Sequence, residues 1–241
     1  MVKSASAEKY DLRSLEAVLC GGAPVANSVI ERFKQRFPNI SLLQAYGLTE
    51  TTAGITRTIG LNENRVAGAN GRLSILQLIH LLRTGYLLAI YGFPAGYVGD
   101  EEATAATIDS EGWLRTGDIC YFNSEGLLFY VDRMKELIKY KGYQVAPAEL
   151  EDILISHPAI LDAAVIPYPD EDAGQIPAAF VVRQPGSTIT DSQIMDFMAE
   201  QVAPYKKIRR VFYIDSIPKN ASGKVLRKDL IKFASGLASK L

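Results

Sequence analysis

The sequence predicts two successive parts, the first of the α/β class and the second of the α+β class. A strand, a helix and a second strand follow one another within residues 15–47, the pattern of an open α/β sheet. Shorter apolar segments separated by glycines continue to residue 132, and strand-like and helix-like segments alternate after Arg133. We therefore expect an α/β domain that ends in a small β region over 1–133, and a separate α+β domain over 134–241.

The first strand and helix are predicted by an apolar run and a four-residue repeat. Residues 15–20 form a short apolar segment, two glycines follow, and Pro24 suits the first position of a helix. Pro38 ends that helix. The apolar face of the helix is predicted to contain Val25, Val29, Phe33 and Phe37.

The second strand begins at Leu42 and runs into a turn at Tyr46-Gly47. Farther along, a turn over 123–126 precedes the clearest strand of the β region, 127–131. The segment 75–93 is anomalous, because it is a long apolar run that is too short and too interrupted for a membrane helix. Two origins remain open for it, a reading-frame or splice error and an unusual packed hairpin.

The second part has clear helix and strand signals. Pro147 opens a helix with apolar residues that ends near His157, and residues 163–166 and 178–182 have strand character. Thr190 and Gln193 have the spacing of a capping box before another apolar helix. We expect His157 to be a helix-end residue rather than a catalyst.

Composition excludes several classes of function. Lys and Arg number 26 against 27 Asp and Glu, so no bulk charge favours nucleic acid or an anionic membrane. The chain has no segment that predicts a membrane span. The two cysteines, Cys20 and Cys120, are far apart and are expected to be buried small hydrophobes rather than a disulfide pair.

Two short segments have residues suited to phosphate chemistry. A proline and a glycine fix a loop over 217–224, from which Lys224 projects a compact positive charge towards an oxyanion. Thr49 offers a hydroxyl, and Glu50 a hard oxygen ligand for Mg²⁺. Taken alone, the first segment also fits an ordinary turn and the second an ordinary polar pair.

Four motifs occur in a fixed order along the chain: Tyr46-Gly47-Leu48-Thr49-Glu50, the stretch Gly112 to Asp118, the stretch Asp132 to Gly142, and Pro218 to Lys224. The series resembles the adenylate-forming superfamily, which includes acyl-CoA synthetases, plant 4-coumarate:CoA ligases and beetle luciferases. The resemblance implies the last part of the large α/β-plus-β-barrel domain, here 1–133, followed by a small mobile lid domain, here 134–241.

The resemblance also implies an activity and a set of site residues. The family joins a carboxylic acid to ATP as an acyl-adenylate, with Mg²⁺, and then transfers the acyl group to CoA. Lys224, Thr49 and Glu50 are the implied catalytic residues, with Glu50 as the Mg²⁺ ligand. Lys135 is the implied hinge, and Lys141 and Gly142 the implied CoA contacts. The implied contacts to nucleotide and acyl-adenylate are Gly22, Ala23, Gln44, Ala45, Tyr46, Thr49, Asp118, Arg133, Lys135, Lys139, Gln144 and Lys224.

One family feature is absent from these residues. Relatives carry a Ser/Thr/Gly-rich phosphate loop with a lysine upstream of the Tyr-Gly-Leu-Thr-Glu motif, and this sequence has none. Three hypotheses remain open. The chain is a truncated acid–CoA ligase that is inactive alone, a non-catalytic remnant or binding module, or part of a luciferase-like oxygenase. The acid is not readable, although the resemblance suggests fatty acids, jasmonate-type precursors or cinnamates.

The end of the sequence suggests a location. Ser239-Lys240-Leu241 is the tripeptide that the peroxisomal import receptor recognises. We therefore expect a peroxisomal protein, cytoplasmic if it is not imported. Its expected partners are that receptor and the small molecules acid, ATP and CoA.

Overall fold

A computed structural model describes residues 7, 9–52, 54–59, 63, 66, 68–73, 79–82, 87–91 and 96–238. The chain divides into two compact units, Met1–Met134 and Lys135–Leu241. This division lies next to the boundary expected between 133 and 134. The assignment of the units to an AMP-binding domain and a lid stays a prediction.

The first sheet of the amino-terminal unit combines parallel and antiparallel strands. It contains β1 (Ala17–Cys20), β2 (Ser41–Gly47), β3 (Gly54–Arg57) and β4 (Arg72–Leu73), in that order. Strands β1 and β2 are parallel and are joined by helix α1 (Asn27–Arg36), whereas the other pairs are antiparallel. The expected strand–helix–strand unit is therefore confirmed.

The predicted start and face of α1 need correction. The helix begins at Asn27, not at Pro24, because Ala26 is still extended with a ψ of 137°. Ile30 and Phe33 are its buried residues, and they pack with Leu42 of β2. The predicted four-residue repeat did not include Ile30. It did include Val25, which precedes the helix, and Phe37, which follows it.

The second sheet of this unit is antiparallel. Strands β5 (Ile79–Leu82), β6 (Leu87–Tyr91), β7 (Trp113–Phe122) and β8 (Leu128–Arg133) follow one another in that order, and helix α2 (Glu101–Thr107) precedes β7. The anomalous segment thus contains two paired strands, as the hairpin hypothesis expects. The rest of it, 75–78, 83–86 and 92–93, lies outside the described residues.

Gly71 lies at a crowded point just before β4. Its φ is +89°, a left-handed value that favours glycine, and a Cβ built there would lie 1.9 to 2.2 Å from backbone atoms of Arg57 and Thr58. We therefore expect Gly71→Ala to lower the free energy of unfolding of the amino-terminal unit by about 3 kcal/mol or more. Urea unfolding measures this, with Gly99→Ala as the control, since its φ of +73° is also left-handed but no atom lies within 4 Å of the added Cβ. Equal losses in both variants would contradict the clash.

The carboxyl-terminal unit contains one five-stranded sheet. Its strands are β9 (Ile138–Tyr140), β10 (Tyr143–Val145), β11 (Ile160–Asp170), β12 (Gly174–Arg183) and β13 (Arg210–Tyr213). The order is β10-β9-β12-β11, and β13 also pairs with β12, in parallel. The strands expected over 163–166 and 178–182 are present and longer than the sequence indicates.

Helices cover both faces of this sheet. On one face, α3 (Pro147–Ser156) and α4 (Asp191–Ala199) pack on Ala179 and Val181 of β12. On the other, α5 (Arg227–Ala238) packs on residues of β12 that include Phe180. Alternate residues of one strand thus enter two separate cores, which is what a strand buried on both faces requires.

Several local predictions are confirmed here. Pro147 is the first residue of α3, and His157 caps its carboxyl end while its Nδ1 accepts from the Ala159 N–H. The Thr190 and Gln193 capping box precedes α4.

The two cysteines of the amino-terminal unit are both free, as expected. Cys120 is buried, but Cys20 is only half-buried, because β1 is an edge strand of its sheet.

Because both cores of the carboxyl-terminal unit are made by residues within it, we expect residues 135–241 to fold alone. A fragment with these bounds should show one cooperative thermal transition by circular dichroism and dispersed amide signals by NMR. A broad transition with collapsed amide signals would contradict this.

Candidate functional site

The site residues of the amino-terminal unit begin at the carboxyl ends of two parallel strands. Cys20 pairs in register with Gln44, so Gly22 and Ala23 leave β1 beside the end of β2. Gln44 is 8% exposed, and its backbone exchanges hydrogen bonds with Thr58 through the Thr58 hydroxyl and N–H. This edge is where an open α/β sheet binds a ligand.

A buried polar cluster links the two sheets of this unit. The Tyr46 hydroxyl donates to Oδ2 of Asp118 at 2.7 Å, across 72 residues of sequence. Nε of Arg133 lies 3.1 Å from Oδ1 of Asp118, and the two residues are direct partners on β7 and β8. Asp118 is 1% exposed. Both of its oxygens are engaged, Oδ2 by the Tyr46 hydroxyl and Oδ1 by the Arg133 guanidinium.

Burial and the charge of Asp118 favour the neutral forms of two neighbouring side chains, Tyr46 and Cys120. Burial, followed by the charge of Asp118, raises the pKa of the Tyr46 phenol far above its usual value. The same two causes raise the pKa of the Cys120 thiol. Tyr46 is therefore a fixed hydrogen-bond donor, and Cys120 is not a thiolate nucleophile at neutral pH.

Thr49 and Glu50 lie in a short 3-10 turn, Thr49–Thr51, directly after β2. The turn is fixed by the Thr51 hydroxyl, which donates to the Leu48 carbonyl at 2.8 Å and accepts from the Leu48 N–H at 3.0 Å. The Tyr97 hydroxyl donates to Oε1 of Glu50 at 2.7 Å. This hydrogen bond is the main cause of a raised pKa at Tyr97.

In the carboxyl-terminal unit, the predicted acyl-adenylate and CoA contacts share one hairpin. Lys139 and Gln144 are cross-strand partners on β9 and β10 and therefore lie on the same face. Lys141 and Gly142 form the turn, with φ values of +46° and +83°. The Lys141 N–H donates to the Ala173 carbonyl at 3.1 Å, which ties the turn to the segment before β12.

The positive φ of Lys141 is a local strain. A non-glycine residue in the left-handed region costs on the order of 1 kcal/mol. The Lys141 side chain lies over the Tyr140 ring, with Nζ 6.0 Å from the ring centroid. Strained, exposed turns of this kind occur at ligand sites, so the geometry agrees with a functional turn.

The loop that carries Lys224 is closed by its own hydrogen bonds. The Asn220 side-chain oxygen accepts from the Ser222 N–H at 3.0 Å and from the Lys224 N–H at 2.9 Å. The Asn220 N–H donates to the Lys224 carbonyl at 2.9 Å, and Gly223 has a φ of +83°. In the described part of the chain, no carboxylate forms an ion pair with the exposed Lys224 side chain.

No group of three or more His, Cys, Asp and Glu side chains among the described residues is placed to hold a metal ion. Glu50 supplies one carboxylate, and Mg²⁺ is commonly held by one or two carboxylates together with substrate phosphates.

Among the described helices, none combines the length and apolar character that crossing a bilayer requires.

The structure places the predicted residues in two groups, one in each unit. Within the first unit it brings together Tyr46, Asp118 and Arg133; within the second it pairs Lys139 with Gln144 beside the Lys141 turn. Lys135 is exposed in the short 3-10 turn Met134–Glu136 at the division between units. Sequence reasoning missed the contact of Tyr97 with Glu50, because the two residues are 47 positions apart and no local signal joins them.

Two family models match the chain. Residues 1–82 match the AMP-binding enzyme family, and residues 149–224 match the AMP-binding enzyme C-terminal domain. The two matches fall in different structural units, and each unit contains part of the motif series described above.

Curated relatives match all or nearly all of the chain but are longer than it. It is 56% identical over 243 residues to 4-coumarate–CoA ligase-like 5 of Oryza sativa subsp. japonica, across 100% of this chain and 43% of the relative. It is 53% identical to peroxisomal OPC-8:0-CoA ligase 1 of Arabidopsis thaliana, across 94% of this chain and 44% of the relative. The chain thus spans less than half the length of these relatives.

Solved structures agree with the fold of the chain. The o-succinylbenzoate CoA synthetase of Bacillus subtilis in complex with its acyl-adenylate intermediate aligns with a TM-score of 0.81 and 29% identity, over 95% of this chain and 49% of that one. The same enzyme in complex with ATP and a magnesium ion aligns with a TM-score of 0.80.

Proposed function

Because the chain belongs to the AMP-binding, adenylate-forming enzymes, we propose that it supplies the carboxyl-terminal machinery of an acid–CoA ligase. The observation that carries the proposal is the match of one chain to both family domains, with the four motifs in their order along it. The reaction has two steps. A carboxylate oxygen attacks the α-phosphorus of ATP and expels pyrophosphate, and the CoA sulfur then attacks the acyl carbon and expels AMP.

In the first step, the amino-terminal unit holds the nucleotide. Asp118 accepts from the ribose hydroxyls, while Arg133 and Tyr46 keep the carboxylate in place. Gly22 and Ala23, which follow β1, and Ala45, near the end of β2, would line the adenine and acyl pocket. Thr49 donates its hydroxyl to the α-phosphate.

Lys224 acts in the same step from the carboxyl-terminal unit. Its ammonium neutralises the charge that develops as the acid attacks the α-phosphate, an electrostatic effect on the transition state. The closed loop around Asn220 supports this role, because a lysine held by a rigid base loses less entropy on meeting its target. The second step uses the hairpin instead, with Lys139 and Gln144 at the acyl-adenylate and the Lys141–Gly142 turn at CoA. Lys135 is the point about which the unit turns between the two steps.

Magnesium fits the residues that are present. Glu50 has a partly exposed carboxylate that a hydrogen bond from Tyr97 orients, and it would hold the ion together with the phosphates of ATP. When bound, the ion offsets charge on the phosphates. Support for this part comes from the related enzyme that was solved with ATP and magnesium.

A chimera tests the proposed function. The residues of the rice relative that precede its match would be joined to these 241 residues, and pyrophosphate release would be followed with ATP, Mg²⁺ and a panel of 4-coumarate and fatty acids. We expect acid-dependent release from the chimera. The 241-residue chain alone and the rice segment alone should be slower by roughly 10²–10³-fold or more, since each lacks donors to the phosphates. Equal release by the rice segment alone would contradict a role for this chain.

A peroxisomal location is part of the proposal. It is supported by the Arabidopsis relative, whose name places it in the peroxisome, whereas residues 239–241 lie outside the described residues. We expect a fluorescent protein followed by residues 230–241 to enter peroxisomes, because the import receptor recognises this tripeptide with its carboxylate. The same fusion without Ser239-Lys240-Leu241 is the control and should stay in the cytoplasm. A diffuse signal from both fusions would contradict the assignment.

A further inference from the structure

Arg227 of the carboxyl-terminal unit contacts two other elements, and none of the roles proposed above accounts for it. It is the first residue of α5, three positions after Lys224. Its side chain is 13% exposed, a low value for an arginine. A guanidinium buried to this degree needs charged or polar partners, and its partners identify what it holds together.

The guanidinium reaches two carboxylates from different elements. Nη1 lies 2.9 Å from Oε1 of Glu151 on α3, and Nη2 donates to Oε2 of the same residue at 3.2 Å. Nε lies 2.9 Å from Oε2 of Glu136, the residue after the proposed hinge Lys135. Glu151 is itself held, because its Oε1 accepts from the Val165 N–H of β11 at 2.8 Å. One side chain thus joins the hinge end of the unit, helix α3 and, through α3, the sheet.

Backbone contacts within the loop before Arg227 connect the position of Arg227 with that of Lys224. Its two ends are held together by the backbone. The Leu226 N–H donates to the Pro218 carbonyl at 2.9 Å, and Lys219 and Val225 pair in an isolated antiparallel β-bridge. Together with the hydrogen bonds around Asn220, these contacts close the loop over 218–226 on itself. The contacts at its ends therefore decide where Lys224 lies. At one end Lys219 pairs with Asp162 at 2.6 Å, and at the other is Arg227.

We propose that Arg227 is a positioning residue that fixes the Lys224 loop to the hinge end of the unit through Glu136 and Glu151. The proposal rests on the function proposed above for Lys224. Arginine suits the role because its planar fork contacts Glu151 with two nitrogens and Glu136 with a third, whereas a lysine ammonium is a single point charge. When the unit turns about Lys135, the loop and the hinge residues then move as one body.

Hydrogen exchange of the 241-residue chain tests the anchoring without any turnover. We expect Arg227→Ala to speed amide exchange of the peptide covering 218–226 by roughly tenfold to a hundredfold, the effect of losing a charged hydrogen bond. Arg227→Lys and Glu136→Gln should give intermediate increases. Lys206→Ala is the matched control, because it removes an ion pair of 2.7 Å to Glu149 on the same helix, away from the loop. Loop exchange that matches the control, or a rise of the same size in the β12 peptide, would overturn the proposal.

Half-reactions of the chimera separate positioning from a merely structural role. Arg227→Lys should lower acyl-adenylate formation by about tenfold while thioester formation from supplied acyl-AMP stays within about twofold, because only the first step uses Lys224. Equal losses in both steps, or no loss, would overturn positioning. If Lys224→Ala itself leaves adenylation unchanged, the proposed function of Lys224 fails, and the role of Arg227 fails with it. The exchange result then stands as a separate finding about the loop.

Discussion

In the chimera with the rice segment, we expect Lys224→Ala to slow acyl-adenylate formation by about 10²–10³-fold. The lysine has an exposed ammonium on a loop that is closed at its base, which suits it to stabilise charge that appears only in the transition state. Thioester formation from supplied acyl-AMP should be nearly unchanged. Pyrophosphate release and CoA-thioester formation, measured separately, give the two rates.

Lys141→Asn should show the opposite selectivity. Asparagine tolerates a left-handed φ such as the +46° of Lys141, so this substitution removes the charge without adding strain to the turn. We expect thioester formation to fall by roughly tenfold to a hundredfold, with adenylation largely retained. Lys228→Ala, which removes one exposed charge from α5, is the control and should affect neither step. Equal losses in both steps for both lysines would contradict the assignment to two poses.

The second large effect is expected at Asp118. Asp118→Ala should lower the free energy of unfolding of the amino-terminal unit by roughly 2–4 kcal/mol, since it leaves the Tyr46 hydroxyl and the Arg133 guanidinium without their carboxylate. Tyr46→Phe should cost about 1 kcal/mol or somewhat more. Urea unfolding of the single and double variants measures the coupling. Strictly additive effects would contradict a joint cluster.

The same cluster predicts a loss of stability at alkaline pH. The folded-state pKa of Tyr46 is raised, so below about pH 10 the phenol is protonated in both states and its contribution is complete. Above that pH the unfolded chain ionises while the folded chain does not, and unfolding becomes progressively more favourable. Tyr46→Phe should therefore reduce the dependence of stability on pH between about 10 and 11 relative to the native chain. An unchanged slope would argue against a protonated, buried Tyr46.

Elements with local signals were the ones the sequence predicted well. The capping box of Thr190 and Gln193 and the proline that opens α3 both contain their own start signals, and both helices are present. Helix α2 was missed despite Asp100 as its cap, because none of its residues is buried and no apolar period marks it. Helix α1 was placed too early, because its repeat was extended through residues outside the helix.

Contacts set by strand register were beyond sequence reasoning. The direct pairing of Asp118 with Arg133 depends on how β7 and β8 align, and that alignment includes an irregularity at Ile119 and Cys120. Resemblance gave both residues a role but did not indicate that they contact one another or Tyr46. The bridge from Arg227 to Glu136 spans the unit in the same way. In each case the partner is chosen by tertiary packing and has no trace in the local pattern.

Product identification in the chimera tests the central claim most directly. With ATP, Mg²⁺ and an accepted acid, but without CoA, mass spectrometry should detect an acyl-adenylate together with pyrophosphate. Adding CoA should then convert the adenylate to acyl-CoA and AMP in equal amounts, and Lys224→Ala should block the first product but not the conversion of supplied acyl-AMP. Release of ADP and phosphate in place of AMP and pyrophosphate, or acyl-CoA formed without an adenylate, would contradict the proposed ligase.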